Sequence, residues 1–118
     1  MRTTESFIHI SRAMGRVVSV TDLTWDEDED GKPVARRTLV IEPLCHDTGR
    51  RVAVEFSYRN ILAALKKLRK GQVVEAFFYL RSFAVVDDTG TVSWHTTLRG
   101  YKLRVFPMQR TTDEQQIL

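Results

Sequence analysis

Basic side chains recur along this chain in pairs and clusters, and side chains of this type can bind a polyanion through its charges. The clusters lie at residues 36–37, 50–51, 66–70 and 99–104. The formal net charge is +3 and the acidic run at residues 26–30 carries −5, so the remaining residues sum to +8. We expect the body of the protein to attract a polyanion and the acidic run to repel it locally. The alternative is a solvated surface of mixed charge.

Aromatic residues near these cations in the sequence offer a second kind of contact. Binders of single-stranded nucleic acid combine a cationic groove with aromatic side chains, on which each base stacks for roughly 1–3 kcal/mol. We predict that seven basic side chains contact phosphates and three aromatic side chains stack on bases. They are Arg36, Arg37, Arg51, Arg81, Arg99, Lys102 and Arg104 for phosphates, and Trp25, Tyr79 and Phe83 for bases. Core packing is the alternative for each aromatic residue, and we expect it for Phe56, Phe78 and Trp94.

No catalytic constellation is recognisable in the sequence. It has no Gly-x-Ser-x-Gly motif, no phosphate-binding glycine loop and no His-Glu-x-x-His motif. Cys45 and His46 are adjacent, but neighbouring side chains on an extended segment point apart and two further metal ligands are missing. We therefore predict that the protein is not an enzyme and that it uses no metal ion and no other cofactor.

The acidic run resembles the start of a calcium-binding loop. Residues 26–31 have the spacing Asp-x-Asp-x-Asp-Gly, but the glutamate required at the twelfth position is Arg37, and Pro33 prevents the expected helix from starting. We expect a solvated hairpin tip at this run rather than a cation site.

Length and composition favour one soluble domain. The chain has 118 residues, of which 42% are hydrophobic and 28% charged, as in an ordinary globular domain. Its single cysteine, Cys45, excludes an intrachain disulfide framework and fits a reducing compartment. No apolar run approaches the ~20 residues that span a bilayer, and no signal pattern begins the chain. We expect a cytoplasmic protein with no membrane partner.

The residue pattern predicts five strands and one helix that would position these side chains. The strands are expected at residues 16–23, 35–42, 51–56, 72–82 and 91–105, with a loop at 25–33 and a turn at 87–90. Ile61, Leu65 and Leu68 form one apolar stripe and predict a helix at residues 60–70, ended by Gly71. The cations at residues 66–70 would then complement the helix dipole. Gly100 predicts a bulge in the last strand.

The order β-β-β-α-β-β is typical of a five-stranded Greek-key barrel, the OB-fold, which is all-β with one short helix. We assign residues 15–106 to this domain, residues 1–14 to an N-terminal arm or edge strand, and residues 107–118 to a polar tail. Barrels of this kind mostly bind single-stranded nucleic acid or oligosaccharide on one strand face, which is a fold-level argument.

Several segments resemble bacterial and phage single-stranded DNA-binding proteins. Residues 31–39, Gly-Lys-Pro-Val-Ala-Arg-Arg-Thr-Leu, resemble the family's Gly-Lys-x-Val-Ala-x-x-x-Leu stretch. Residues 51–56, 68–73 and 80–90 are similar to its strand-helix-strand-hairpin core, and Thr96-Thr97 to the Thr-Thr pair of its last strand. The resemblance implies sequence-independent binding of single-stranded DNA, or of RNA, by a homo-oligomer (dimer or tetramer) in replication, recombination or repair. The chain is also similar to small uncharacterised OB-fold proteins of bacteria and phages.

The chain departs from that family at positions that matter for binding. The Trp-His before the third strand is Gly49-Arg50 here, and the second stacking aromatic aligns near Val85, with Phe83 as the closest substitute. The family's glycine-rich linker and acidic tail have no clear counterpart in residues 107–118. A rival hypothesis is therefore a non-catalytic assembly module, in which Val73, Phe77 and Tyr79 form a subunit interface.

Overall fold

The computed structural model describes residues 11–28, 30–44 and 50–108. The elements are β1 (Ser11–Val20), β2 (Thr24–Glu27), β3 (Pro33–Pro43), β4 (Val52–Phe56), α1 (Arg59–Leu65), β5 (Val73–Val86) and β6 (Val92–Val105). Three predicted features lie wholly or largely outside the described residues. They are the N-terminal arm or edge strand, of which residues 1–10 are not described, the pair Cys45-His46, and the polar tail beyond residue 108.

The strands close into a barrel. Around the ring the order is β1, β5, β6, β4 and β3, and β1 closes it by also pairing with β3. Neighbouring strands are antiparallel except β4 and β6, which run parallel where Glu55 lies beside Arg99 and Phe56 beside Gly100. This is the strand order of a five-stranded Greek-key barrel with one helix, and the predicted OB-fold class is confirmed.

The first strand lies closer to the N-terminus than predicted. β1 begins at Ser11, five residues earlier than predicted, and ends at Val20, three residues earlier than predicted, and a bulge between Val17 and Ser19 bends it. After residues 21–23, β2 pairs with the start of β3. The predicted loop at residues 25–33 is therefore a hairpin, and the Asp28 carboxylate accepts hydrogen bonds from the N–H groups of Asp30 and Lys32 in its turn, both at 2.9 Å.

The core fills the barrel from every strand of the ring and from α1. Leu39, Ile41, Val54 and Val74 are fully buried, and the Phe56 ring lies among them. Core packing is confirmed for Phe56 and Phe78. A Cβ atom at Gly100 would overlap the Phe56 ring, so this glycine lets β6 pass close to β4.

The helix is shorter than predicted. α1 ends at Leu65, so the cations at residues 66–70, which were predicted to lie in the helix, instead follow its C-terminus. The chain must return to β1 at this point: Gly71 donates a hydrogen bond to the Val17 carbonyl, and Gln72 accepts one from the Val17 N–H, both at 2.8 Å. Gly71 has the predicted left-handed conformation, with φ of +88°. Leu68 still packs on the core from a turn, which preserves the apolar stripe.

β5 and β6 form a long hairpin, and β5 runs four residues past its predicted end. Among the described residues, β1 pairs with β5 up to Phe78 and β4 pairs with β6 at Arg99 and Gly100, so within this part of the chain residues 80–98 pair only with each other. The register shifts by one residue at Tyr101, which confirms the predicted bulge beside Gly100. Most side chains of this part of the hairpin are exposed on both faces.

Candidate nucleic-acid interface

An open cleft of about 440 Å³ lies between the β2–β3 hairpin and the β5–β6 hairpin. Five of the ten predicted contact residues line it: Trp25, Arg36, Arg81, Phe83 and Arg99. The strand register explains why. Thr38 lies opposite Glu55 and Glu55 beside Arg99, so their side chains share the outer surface of β3, β4 and β6 and form the floor of the cleft.

The cleft floor contains an ionic network, which we call the Glu55 cluster: Asp26, Arg36, Glu55 and Arg99. The Arg36 guanidinium donates a hydrogen bond to the Asp26 carboxylate at 3.1 Å and lies 3.8 Å from Glu55. Arg99 Nε lies 3.7 Å from the same Glu55 oxygen. The arginine side chains are only 15% and 13% exposed, whereas Glu55 is 29% exposed.

Burial lowers the pKa of the Arg99 guanidinium. The positive charge of Arg36 lowers it further, Glu55 opposes the shift, and Arg81 adds to it. An arginine remains protonated despite such a shift. The lowered pKa is therefore a consequence first of the burial of Arg99 and then of the positive charges of Arg36 and Arg81 near it.

The cleft is not cationic as a whole. Its lining contains three arginines, Arg36, Arg81 and Arg99, and four carboxylates, Asp26, Glu27, Asp28 and Glu55. Residues 26–28 of the acidic run are exposed on the β2–β3 hairpin, as expected for a solvated hairpin, and they also lie along the cleft. Arg36 and Arg99 have carboxylate partners in the cleft, and this reduces their attraction for a phosphate.

The aromatic residues of the cleft present ring faces. The Phe83 ring stacks on His95, with centroids 5.6 Å apart and an interplanar angle of 20°, and the pair lies directly across the strands. Trp25 is exposed on β2. Stacked and exposed rings of this kind can accept a base on their free faces.

Trp94 is exposed, so the prediction of core packing for it is wrong. It lies opposite Ala84 on the face that continues the inward row of β5, but at a point where the barrel has already ended. Sequence periodicity identified the face of Trp94 correctly but could not show that this part of the face is exposed.

Tyr79, Lys102 and Arg104 lie outside the cleft, toward β1. Tyr79 stacks on Tyr101 with centroids 6.4 Å apart, and Lys102 Nζ lies 4.9 Å from the centroid of the Phe77 ring. Because β5 alternates, these aromatic side chains share the outer surface with Arg81 and Phe83 but precede them along the strand.

A second ionic network, the Glu75 cluster, lies at the β1 end of this outer surface. It consists of Arg12, Glu75 and Arg104, with nitrogen-to-oxygen distances of 3.7 Å and 3.6 Å from the two arginines to the carboxylate. Glu75 is only 7% exposed, and the two arginine side chains are 67% and 63% exposed. Sequence reasoning missed Arg12, because residues 1–13 showed no clear period.

The remaining two predicted residues are elsewhere. Arg37 belongs to the inward row of β3 and donates a hydrogen bond to the Thr21 carbonyl at 3.1 Å. Arg51 precedes β4, and its Nε lies 3.9 Å from Glu42 on the surface. The structure therefore divides the ten predicted residues among the cleft, the β1 end of the outer surface and two separate positions.

Within the described part of the chain, no three His, Cys, Asp or Glu side chains are grouped so that they could hold a metal ion. No helix among the described residues is both long and apolar enough to cross a membrane.

Comparison with known proteins finds likeness in structure and none in sequence. No family model matches the sequence, and no curated protein matches it. Two crystal structures of the S. cerevisiae mitochondrial single-stranded DNA-binding protein Rim1 are similar to it, with TM-scores of 0.55 and 0.59 at 13% and 14% identity. The Plasmodium falciparum single-stranded DNA-binding protein in complex with single-stranded DNA has a TM-score of 0.53 at 17% identity. In each case the likeness covers 83% of this chain and 94% of the other. The chain shares the OB-fold of these proteins.

Proposed function

We propose that the protein is a non-catalytic binder of single-stranded DNA and that the strand lies in the cleft between the two hairpins. The observation that carries the proposal is the stacked pair of Phe83 and His95 beside Arg81 and Arg99 in an open cleft on an OB-fold barrel. The names of the structurally similar proteins, which bind single-stranded DNA, support it. The biological setting in this proposal is replication, recombination or repair in the cytoplasm, by a homo-oligomer.

Base stacking supplies most of the binding in this cleft. One base stacks on Phe83 and another on Trp25, and every base has a ring face, so the contacts do not select a sequence. The carboxylates of Asp26 and Glu27 keep phosphates away from the floor, so the backbone lies at the rim. RNA can make the same stacking contacts.

Exposed cations outside the cleft extend the track. The side chains of Lys102, Arg104 and Arg12 are exposed on the outer surface toward β1, outside the cleft. A strand that leaves the cleft past Tyr79 reaches them, and their contacts with phosphate contribute the salt-dependent part of the affinity.

A non-catalytic assembly module is the second candidate. The observation that favours it is the aromatic group of Phe77, Tyr79 and Tyr101, which packs together on the outer surface but outside the cleft. On this reading the group, with Val73, contacts another subunit and the nearby cations remain solvated.

Fluorescence anisotropy of a labelled thirty-nucleotide single strand at two salt concentrations, with duplex DNA as competitor, tests the proposal. We expect binding that weakens with salt and that duplex does not compete away. Absence of binding at low salt would overturn the proposal and leave the assembly module.

Substitution of the stacking residues sharpens the test. Phe83→Ala should weaken binding about tenfold through loss of one stacked base, whereas Val86→Ala, on the opposite face of the same hairpin, should leave it unchanged. Thermal melts check that both variants fold. Tyr79→Ala separates the two candidates, because it weakens binding if the strand leaves the cleft toward Lys102 and weakens only assembly if Tyr79 lies at a subunit interface.

A further inference from the structure

We propose that one face of the β5–β6 hairpin is a self-association surface that packs against the same face of a second copy of the chain. We call it the apolar hairpin face; it consists of Leu80, Ser82, Ala84, Val86, Val92, Trp94, Thr96 and Leu98. It lies apart from the cleft, and the proposal holds whether or not the protein binds DNA. It extends only the oligomeric part of the proposed function.

The strand register places these residues on one face. Leu80 lies opposite Leu98, Ala84 opposite Trp94, and Val86 opposite Val92. Between these pairs, Ser82 and Thr96 share a hydrogen bond of 2.9 Å between their hydroxyl groups, so the polar atoms in the middle of the face satisfy each other. The face is therefore a continuous strip whose two hydroxyl groups are paired with each other.

This strip is exposed to a degree unusual for such residues. Leu80, Val86 and Val92 are 63%, 62% and 52% exposed, and Trp94 is 72% exposed. Since a large aromatic side chain alone presents 150–250 Å², the four expose on the order of 400 Å², a patch size that on monomeric proteins is often functional. The strip continues the inward row of the barrel core, but no third strand among the described residues pairs with residues 80–98.

The chemistry of the face fits a protein rather than a nucleic acid. None of its eight residues carries a charge. Nucleic acid binding depends on cations that neutralise phosphates, and the cationic side chain of this part of the hairpin, Arg81, belongs to the opposite face with Phe83. An uncharged apolar strip offers nothing to a phosphate backbone.

A second copy is the occupant that the charges favour. The rest of the protein is basic, so two copies repel each other across most of their surfaces, and this strip is a place where they can meet without like charges in contact. The same residues on both sides satisfy a two-fold interface, in which each patch is its own complement. Pairing through this face leaves Phe83 and Arg81 open to the cleft on the other side of the hairpin.

The area that two copies would bury sets the expected strength of their association. Two such strips bury on the order of 800 Å² together, less than the 1,200–2,000 Å² of a stable interface. We therefore expect reversible association at high protein concentration. Association should strengthen when two copies are held side by side on one strand, because the strand raises their effective concentration.

Neighbouring residues of β5 provide a matched test. Val86 lies on the apolar hairpin face and Val85, 45% exposed, on the opposite one. Sedimentation of the full chain from low to several hundred micromolar should show self-association that Val86→Glu weakens at least tenfold and Val85→Glu changes less than twofold. Melting curves should show that both variants fold, because both positions are exposed.

The inference is overturned if the wild-type protein stays monomeric over this range. It is also overturned if the two variants have equal effects on self-association. If neither variant weakens it, the surface around Phe77 and Tyr79 is the alternative interface. Anisotropy with single-stranded DNA at dilute protein keeps the two proposals apart. Loss of self-association in Val86→Glu with no DNA binding in any form supports this inference while refuting the DNA-binding proposal.

Discussion

Two carboxylates on the outer surface of the barrel, Glu55 and Glu75, each lie between two arginines, but the exposure of the partners is reversed. In the Glu55 cluster the arginines are buried and the carboxylate is partly exposed toward the cleft. In the Glu75 cluster the carboxylate is buried and the arginines are exposed. The same three charges therefore form a fixed floor in one place and two accessible cations in the other.

The reversal changes which arginines can serve a ligand. Arg36 and Arg99 are held by Glu55, and the Arg36 Nε atom is buried with no hydrogen bond among the described residues, so these side chains cannot move to a phosphate without cost. Arg12 and Arg104 can reach solvent while Glu75 anchors them. We infer that the Glu55 cluster forms the fixed floor of the cleft and that the Glu75 cluster presents two exposed positive charges to a ligand.

The largest expected effect comes from breaking the element that separates the two clusters. Gly100 lies between Arg99 and the bulge at Tyr101, and a Cβ atom there overlaps the buried Phe56 ring. Gly100→Ala should lower the free energy of unfolding by about 3 kcal/mol. Urea denaturation measures it, and a loss below about 1 kcal/mol would show that Phe56 can move aside.

Replacing one arginine of each cluster by glutamine tests whether the buried and the exposed arginines differ in their contribution to stability. Arg99→Gln should lower the free energy of unfolding by about 1–2 kcal/mol, because a buried partner of Glu55 is lost. Arg104→Gln should cost about 0.5 kcal/mol or less, because exposed ion pairs contribute little.

Salt titration of DNA binding provides the complementary readout for the same pair. Arg104→Gln should reduce the slope of log K against log salt by about 0.7, the value for one phosphate contact on a single strand. Equal stability losses in the two variants, or no change of slope for Arg104→Gln, would contradict the division of roles.

The acidic side of the Glu55 cluster should weaken DNA binding. Asp26→Asn removes a negative charge from the cleft and loosens Arg36, and we expect about threefold tighter binding at low salt. Asp22→Asn, outside the cleft, gives the same net charge and is the control. If both variants bind equally tightly, net charge rather than the cleft decides the affinity.

The smallest expected effect concerns the turn of the hairpin that flanks the cleft. A hydrogen bond from the Thr89 hydroxyl, followed by backbone N–H groups of Thr91, Thr89 and Gly90, holds the pKa of the Asp87 carboxyl below its ordinary value. Because the folded pKa is lower than the unfolded one, this stabilisation is complete above the unfolded pKa of about 3.9 and is lost as pH falls through the folded pKa.

Thermal melts between pH 6 and pH 3 measure this contribution. The wild-type melting temperature should fall slightly more than that of Asp87→Asn toward the acid end, since the asparagine has no proton to gain. Parallel curves would show that the hydrogen bonds at Asp87 do not stabilise the folded state.

Local pattern was sufficient for much of the fold. The residue pattern located the five strands of the ring but not β2, and it located the turn at residues 87–90, the left-handed Gly71 and the bulge at Gly100, because each depends on a residue's own backbone preference or on its immediate neighbours. Five predicted contact residues meet in the cleft, whereas Arg37, next to Arg36 on the same strand, belongs to the other face.

Only the tertiary structure decided where each face is covered and which charges meet. Trp94 has the alternation of a core residue, but the barrel ends before it, and its burial depends on strands far away in the sequence. Glu55 and Asp26 restrain the arginines of the cleft through a cross-strand register that charge counting cannot provide. Alternation along a strand is a local property, whereas the end of a barrel and the partner of a charge are set by how distant strands align.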